Sequence, residues 1–172
     1  MDDKSGLPMR WEVLCILAQE LAERTPGFFE RKGPGVGDHA TAAFVTSLRS
    51  LAQNTFGADY SEKAVCSAAG FRFDYFFPDE VVAVEFAFGL HNPNSEFERD
   101  IFKCLLAIED GCAVGKLILM GKPGAIAKLS APAPRAIVAF VKKRFDLEVD
   151  VLELQRPRDS QATAPPVLFH AE

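Results

Sequence analysis

The chain has 172 residues, 48% hydrophobic and 25% charged, which is the composition of one ordinary globular domain with a full core. A net charge of −5 argues against a uniformly basic nucleic-acid coat, and no apolar run approaches the roughly 18 residues of a membrane span. Four cysteines without CxxC spacing and the polar start Met1-Asp2-Asp3-Lys4 suit reduced thiols in a cytoplasmic protein, with no secretory signal, transit peptide or close-paired zinc site.

Along the chain, residues 9–24 repeat apolar side chains at helical spacing (Trp11, Leu14, Cys15, Leu17, Ala18, Leu21), and Thr25-Pro26-Gly27 ends that helix. After the loop Gly33-Pro34-Gly35-Val36-Gly37, Asp38 is expected to cap a second helix running to about Asn54. Its stripe is Ala42, Val45, Leu48, Leu51 and Ala52, and Gly57 follows as its stop. Residues 64–68 read as an additional strand or an extended lead-in.

Two strands follow, 70–77 and 81–88, joined by Pro78-Asp79-Glu80. Alternation puts Phe71, Phe73, Tyr75 and Phe77 on one face of the first and Val82, Val84, Phe86 and Phe88 on one face of the second. The second strand has too few polar residues for a solvent-facing edge and is expected to be central. Ser95 with Glu98 forms a capping box for a helix whose stripe is Phe97, Ile101, Cys104, Leu105 and Ile108, and Gly111 stops it. Residues 114–120 read as a buried strand, Pro132 and Pro134 introduce a helix through Phe145, and Leu147–Val151 as a final strand. This order predicts an α/β fold, a mixed central sheet with helices on its faces, in a single domain over 1–154. Residues 155–172 form a flexible tail whose apolar end, Val167-Leu168-Phe169, either docks back or pairs with a second copy.

The hairpin carries the functional signal. With Pro78 opposite Val81, Asp74 lies directly opposite Glu85, each an acid in an otherwise mostly apolar run. Like charges so placed repel, so a metal ion or a shared proton is the natural reason to tolerate them. Two carboxylates suffice for Mg²⁺ or Mn²⁺, which prefer oxygen ligands. In the following helix, Glu96, Asp100 and Lys103 fall at i, i+4 and i+7, on one flank beside the apolar stripe, so Lys103 can bring an ammonium towards the pair.

The run Val82-Ala83-Val84-Glu85-Phe86-Ala87-Phe88-Gly89, with Asp74 before it and Asn94-Ser95 and Phe97-Glu98-Arg99-Asp100-Ile101-Phe102-Lys103 after it, resembles the PD-(D/E)xK nuclease superfamily. It is most similar to restriction endonucleases of the BamHI and BglII kind, over about residues 38–152. The resemblance implies a three-layer restriction-endonuclease-like domain that cleaves DNA phosphodiester bonds with magnesium, and a homodimer. By position, Asp74 and Glu85 are the metal ligands. The third family position, normally Lys, Glu or Gln, is Ala87, so Lys103 takes the lysine role from the helix or the site is defective. In that group the preceding helix often supplies a further acid, and the nearest candidate there is Asp38 or His39. The rival reading is an inactive module of the same fold that binds DNA or a protein, and a third is an unrelated α/β domain with an incidental acid pair. The basic groups Arg31-Lys32, Lys142-Lys143-Arg144 and Arg156/Arg158 read singly as solvated faces, and His91 as a loop histidine near the Glu85 strand. No P-loop, HExxH or GxSxG spacing is present, and Gly33-x-Gly35-x-Gly37 follows a helix rather than the strand a dinucleotide site needs.

Overall fold

The computed structural model describes residues 7–30, 36–64, 70–88, 93–157 and 167–170, without the side chains of 36–40, 93–95 and 167–170. Helices α1 (Arg10–Arg24) and α2 (Val36–Phe56) precede strands β1 (Ser61–Ala64), β2 (Arg72–Phe77) and β3 (Val82–Ala87). Then come α3 (Pro93–Glu109), β4 (Lys116–Gly121), α4 (Ala125–Leu129), α5 (Pro132–Phe145), β5 (Glu148–Glu153) and β6 (Val167–His170). The six strands lie in one mixed sheet in chain order. β1, β2 and β3 are antiparallel, β3, β4 and β5 parallel, and β6 returns antiparallel to β5. The class is α/β, and no helix among the described residues is long and apolar enough to cross a membrane.

Two crossovers in the same direction, β3 to β4 through α3 and β4 to β5 through α5, place both helices on one face. The other face is covered by α1 and α2. Leu14, Ala18, Phe44, Leu48 and Ala52 pack there on Tyr75, Phe77, Val82, Val84, Ile118 and Met120. On the α3–α5 side, Phe97, Ile101, Cys104 and Val141 pack on Phe76, Ala83, Ala87, Leu117 and Leu119. β3, β4 and β5 thus feed both layers by simple alternation, and β3 is central as its apolar run requires.

The hairpin register is the expected one, with Phe77 opposite Val82, Phe76 opposite Ala83 and Tyr75 opposite Val84. A one-residue slip, which would have put the acids on opposite faces, does not occur. The connection Pro78–Glu80 is a single 3-10 turn that also holds α1. Glu80 accepts the otherwise unpaired N–H groups of Arg10 at 2.8 Å and Trp11 at 3.3 Å, and the Arg10 guanidinium reaches Asp79 at 3.0 Å.

Several local expectations are corrected. α2 begins at Val36, so Asp38 sits within its first turn rather than at the cap. On that helix Phe44, Leu48 and Ala52 are buried, and Ala42 faces solvent. α3 begins at Pro93, a residue preorganised for a first helical position, which moves Ser95 inside the helix. β1 runs over Ser61–Ala64 and so shares only Ala64 with the stretch expected for it, whose residues 65–68 lie outside the described ones. Phe73 packs with Phe76 in the α3 layer, ring centroids 5.8 Å apart, instead of with Tyr75 and Phe77. It stands beyond Tyr75/Val84, where the β2–β3 ladder ends, and is paired with Lys63 of β1. The short α4 had no sequence signal, and β6 shows the apolar end of the tail docked back.

Val81 closes the hairpin in the left-handed region, φ 53° and ψ 34°, which is costly for a β-branched side chain. The strain is held because the Val81 carbonyl accepts from both Gly115 (2.8 Å) and Lys116 (3.1 Å), which fixes the start of β4 beside β3. Val81→Asn keeps the backbone bonds and relieves the strain, so it is expected to raise unfolding free energy by about 0.5–1 kcal/mol in chemical denaturation. Unchanged or lower stability would show that the Val81 side chain contributes more than its backbone costs.

Candidate functional site

Asp74 and Glu85 come together where β2 and β3 part. One step past the last ladder pair, the Phe86 N–H is donated to Asp74 Oδ2 at 2.7 Å, so a side chain stands in for a backbone acceptor. Glu85, on the central strand with Leu119 of β4 beside it, is 4% exposed. It shares its face with Ala83 and Ala87, both buried, and these small neighbours leave room over Glu85 for a long side chain from α3.

That side chain is Lys103. Its Nζ lies 2.8 Å from Glu85 Oε1 and 3.0 Å from Asp100 Oδ1. Asp100 and Lys103, expected on the flank of the helix, are both buried, 5% and 8% exposed, because α3 turns that flank onto the sheet above Glu85. Only Glu85 receives a well-directed hydrogen bond from the ammonium. Asp100 Oδ1 is buried close to it without a hydrogen-bond partner. The Arg99 guanidinium, largely in solvent, is 3.8 Å from the same oxygen. Asp74, Glu85 and Lys103 are thus brought together as a group, with Asp100 as a fourth member that sequence reasoning placed on the helix but outside the site. Its i, i+3 spacing to Lys103 was the available signal.

Burial pushes the Glu85 carboxyl up to about 9, and the charges of Asp74 and Asp100 push the same way against Lys103. Asp74 is also raised by burial, partly offset by the Phe86 N–H, by Lys103, and by a hydrogen bond from Glu85. Both shifts favour a proton held between the two opposed acids, with the burial of Glu85 as the leading cause. Burial works against the Lys103 charge, but Glu85 and Asp100 outweigh it and its pKa is raised, so the ammonium persists. The adjacent Cys104 thiol is pushed up by burial first and then by the same acids, which leaves it an unreactive core thiol. Cys15, Cys104 and Cys112 are all free.

Among the described residues, no group of three or more His, Cys, Asp and Glu side chains is arranged to hold a metal ion. The side chains of Asp38 and His39, and all of His91, Arg31, Lys32 and Arg158, lie outside the described residues. Of the other basic positions, Lys142 is paired with Asp146 at 2.7 Å and Glu148 at 3.3 Å, and Arg156 reaches the Phe29 carbonyl at 3.4 Å. Compared with known proteins, the chain matches no family model, no curated protein and no solved structure.

The shared proton links the site to stability. The folded chain keeps it up to about pH 9, whereas an unfolded glutamate releases it near its ordinary value of 4.5. This contribution is fully present below the lower value and is lost as pH rises through the upper one. Glu85→Gln removes the titration, so the variant's melting temperature is expected to fall less than that of the parent between about pH 5 and about pH 9. Parallel thermal scans of the two proteins across that range check this, and parallel curves would refute the shared proton.

Proposed function

We propose that this chain is a divalent-cation-dependent nuclease of the restriction-endonuclease-like fold, cleaving DNA phosphodiester bonds with Asp74 and Glu85 as the cation's ligands and Lys103 as the catalytic ammonium. The observation that carries the reading is the contact of Lys103 Nζ with Glu85 Oε1 at 2.8 Å, although Lys103 comes from α3. In the related pattern the lysine belongs two residues after the Glu, on the same face of the strand, where this chain has the buried Ala87. The arrangement fits an ammonium supplied from the helix to the position that Ala87 leaves empty of charge. The element order, with a helix, a three-stranded antiparallel meander, a helix and a parallel strand, is compatible with such a fold.

Charge balance supports the cation. Three carboxylates (Asp74, Glu85, Asp100) against one ammonium leave a formal excess of two negative charges in a poorly hydrated place. Without a cation the site relieves part of this by holding a proton; a divalent ion would balance it with every acid ionised. The donors are hard oxygens, which suit Mg²⁺ or Mn²⁺, and two protein carboxylates are enough for an ion that retains water ligands. Bound there, such an ion would supply Lewis-acid activation of the phosphate and of the attacking water. Asp74 and Glu85 would give up their shared proton to hold it. Lys103 would keep positive charge on the phosphoryl oxygens as negative charge develops. Arg72, exposed two residues before Asp74, and the exposed Arg99 provide positive charge near the acids for a polyanionic substrate. A homodimer would let both DNA strands be cut; Phe102 of α3 and Phe140 of α5, 54% and 53% exposed, offer apolar surface for pairing.

A second reading, an inactive module of the same fold binding DNA or a protein, is favoured by one observation: the buried ammonium already hydrogen-bonds Glu85 and so competes with a cation for that carboxyl group. Nicking of supercoiled plasmid separates the two. The nuclease is expected to nick with Mg²⁺ or Mn²⁺ and to stop in chelator. Glu85→Ala should abolish cleavage, and Lys103→Met should lower its rate by about 10²-fold or more, with folding checked by circular dichroism. Folded parent protein that leaves plasmid intact with both metals, on sequences from several sources, would overturn the nuclease assignment in favour of the binding module.

A further inference from the structure

We propose that Asp100 is the positioning residue of the site: when a divalent cation takes Glu85, the Lys103 ammonium passes from Glu85 Oε1 to Asp100 Oδ1 and so stays beside the reacting centre. The inference deepens the nuclease reading and rests on it.

The geometry supplies both ends of the exchange. Lys103 donates to Glu85 at 2.8 Å, and Asp100 Oδ1, ion-paired with the same nitrogen at 3.0 Å, lies off the direction of a hydrogen bond. A buried carboxylate oxygen left without a donor is costly, and such groups call for an explanation in another state of the protein. Here the donor is a small rotation away. Glu85 cannot serve a divalent ion and an ammonium equally well, because each weakens the other's hold on one carboxylate. A lysine on a four-carbon stem, repelled by the ion and without a second anion, would leave for solvent. Asp100 prevents this because it belongs to the same helix, three residues before Lys103, and keeps its distance whatever Glu85 does. Exposure of 5% at Asp100 keeps water from competing for the ammonium.

The test reads the hydrogen bond rather than catalysis. In full-length protein labelled with ¹⁵N and ¹³C, the through-hydrogen-bond coupling of Lys103 Nζ is expected to fall on the Glu85 carboxyl carbon without Mg²⁺ and on the Asp100 carboxyl carbon at saturating Mg²⁺. Mg²⁺-induced shifts of the Asp74 and Glu85 carboxyl signals with Lys103 still coupled to Glu85, or with its ammonium signal lost to solvent exchange, would overturn the exchange and leave the cation site standing. No shift at Asp74 or Glu85 would overturn both. In Asp100→Asn, Mg²⁺ is expected to bind about tenfold more weakly by calorimetry and to erase the Lys103 ammonium signal, with Asp100→Glu restoring it. Should Asp100→Asn not fold, the coupling measured in the parent protein still decides.

Discussion

The Lys103 ammonium stands against Glu85 and Asp100 on a face of the sheet that is otherwise apolar, and without it three acids would share a nearly dry space. Removing one partner of such a buried pair leaves an uncompensated charge and typically costs about 3–5 kcal/mol. Replacing the whole set by well-packed hydrophobic residues is often neutral or stabilising, so a chain selected for stability alone has no use for this arrangement. The surrounding side chains make the point locally. Ala83, Ala87, Phe76, Phe97 and Cys104 form an ordinary interface between sheet and helix, and the charges are inserted into it. Retention of four ionisable groups there is the physical ground for reading them as a functional set.

The fold places the groups through two independent features. Both parallel crossovers run the same way, which brings α3 over β3 and turns the Asp100–Lys103 flank onto the sheet. Separately, the β2–β3 ladder ends at Tyr75/Val84, and Asp74 uses its side chain to satisfy Phe86. At the opposite end of the hairpin the chain is held hard: Glu80 engages the first turn of α1, and the Val81 carbonyl receives two N–H groups from the start of β4. One end of the hairpin is therefore fixed, and the acids occupy the end where the strands begin to separate.

Much of this was legible in the sequence, for identifiable reasons. The register followed from period-two alternation, because a slip by one residue would have sent every bulky apolar side chain to the wrong face. The central position of β3 followed from its lack of polar residues. Helix starts were less legible at α2 and α3. Asp38 and Ser95 are good caps in isolation, but the chain enters both helices two residues earlier, at Val36 and Pro93. Phe73 was misplaced: the β2–β3 ladder ends at Tyr75/Val84, and Phe73, paired with Lys63 of β1, packs against Phe76. Lys103 emerged as a site candidate from its place on the flank of the helix after the hairpin, and the family pattern gave it the lysine's role. Helical spacing alone put it on a solvated flank, since no sequence signal says how far a helix is rotated about its own axis.

The same limit explains Asp100. On a helical wheel it is one of several acids near the start of α3, no different from Glu96 or Glu98. What distinguishes it is the choice of the Lys103 side chain, which reaches across the layer to Glu85 and leaves the Asp100 oxygen of its own helix without a hydrogen bond. A helix-stabilising ion pair would be expected to satisfy its own carboxylate first, because the i, i+3 partner is already within reach and orders fewer groups. The preference for the strand residue shows where the electrostatic demand is strongest. That place is the opposed pair of Asp74 and Glu85, where burial raises both carboxyl pKa values and the ammonium is drawn to the strand acid.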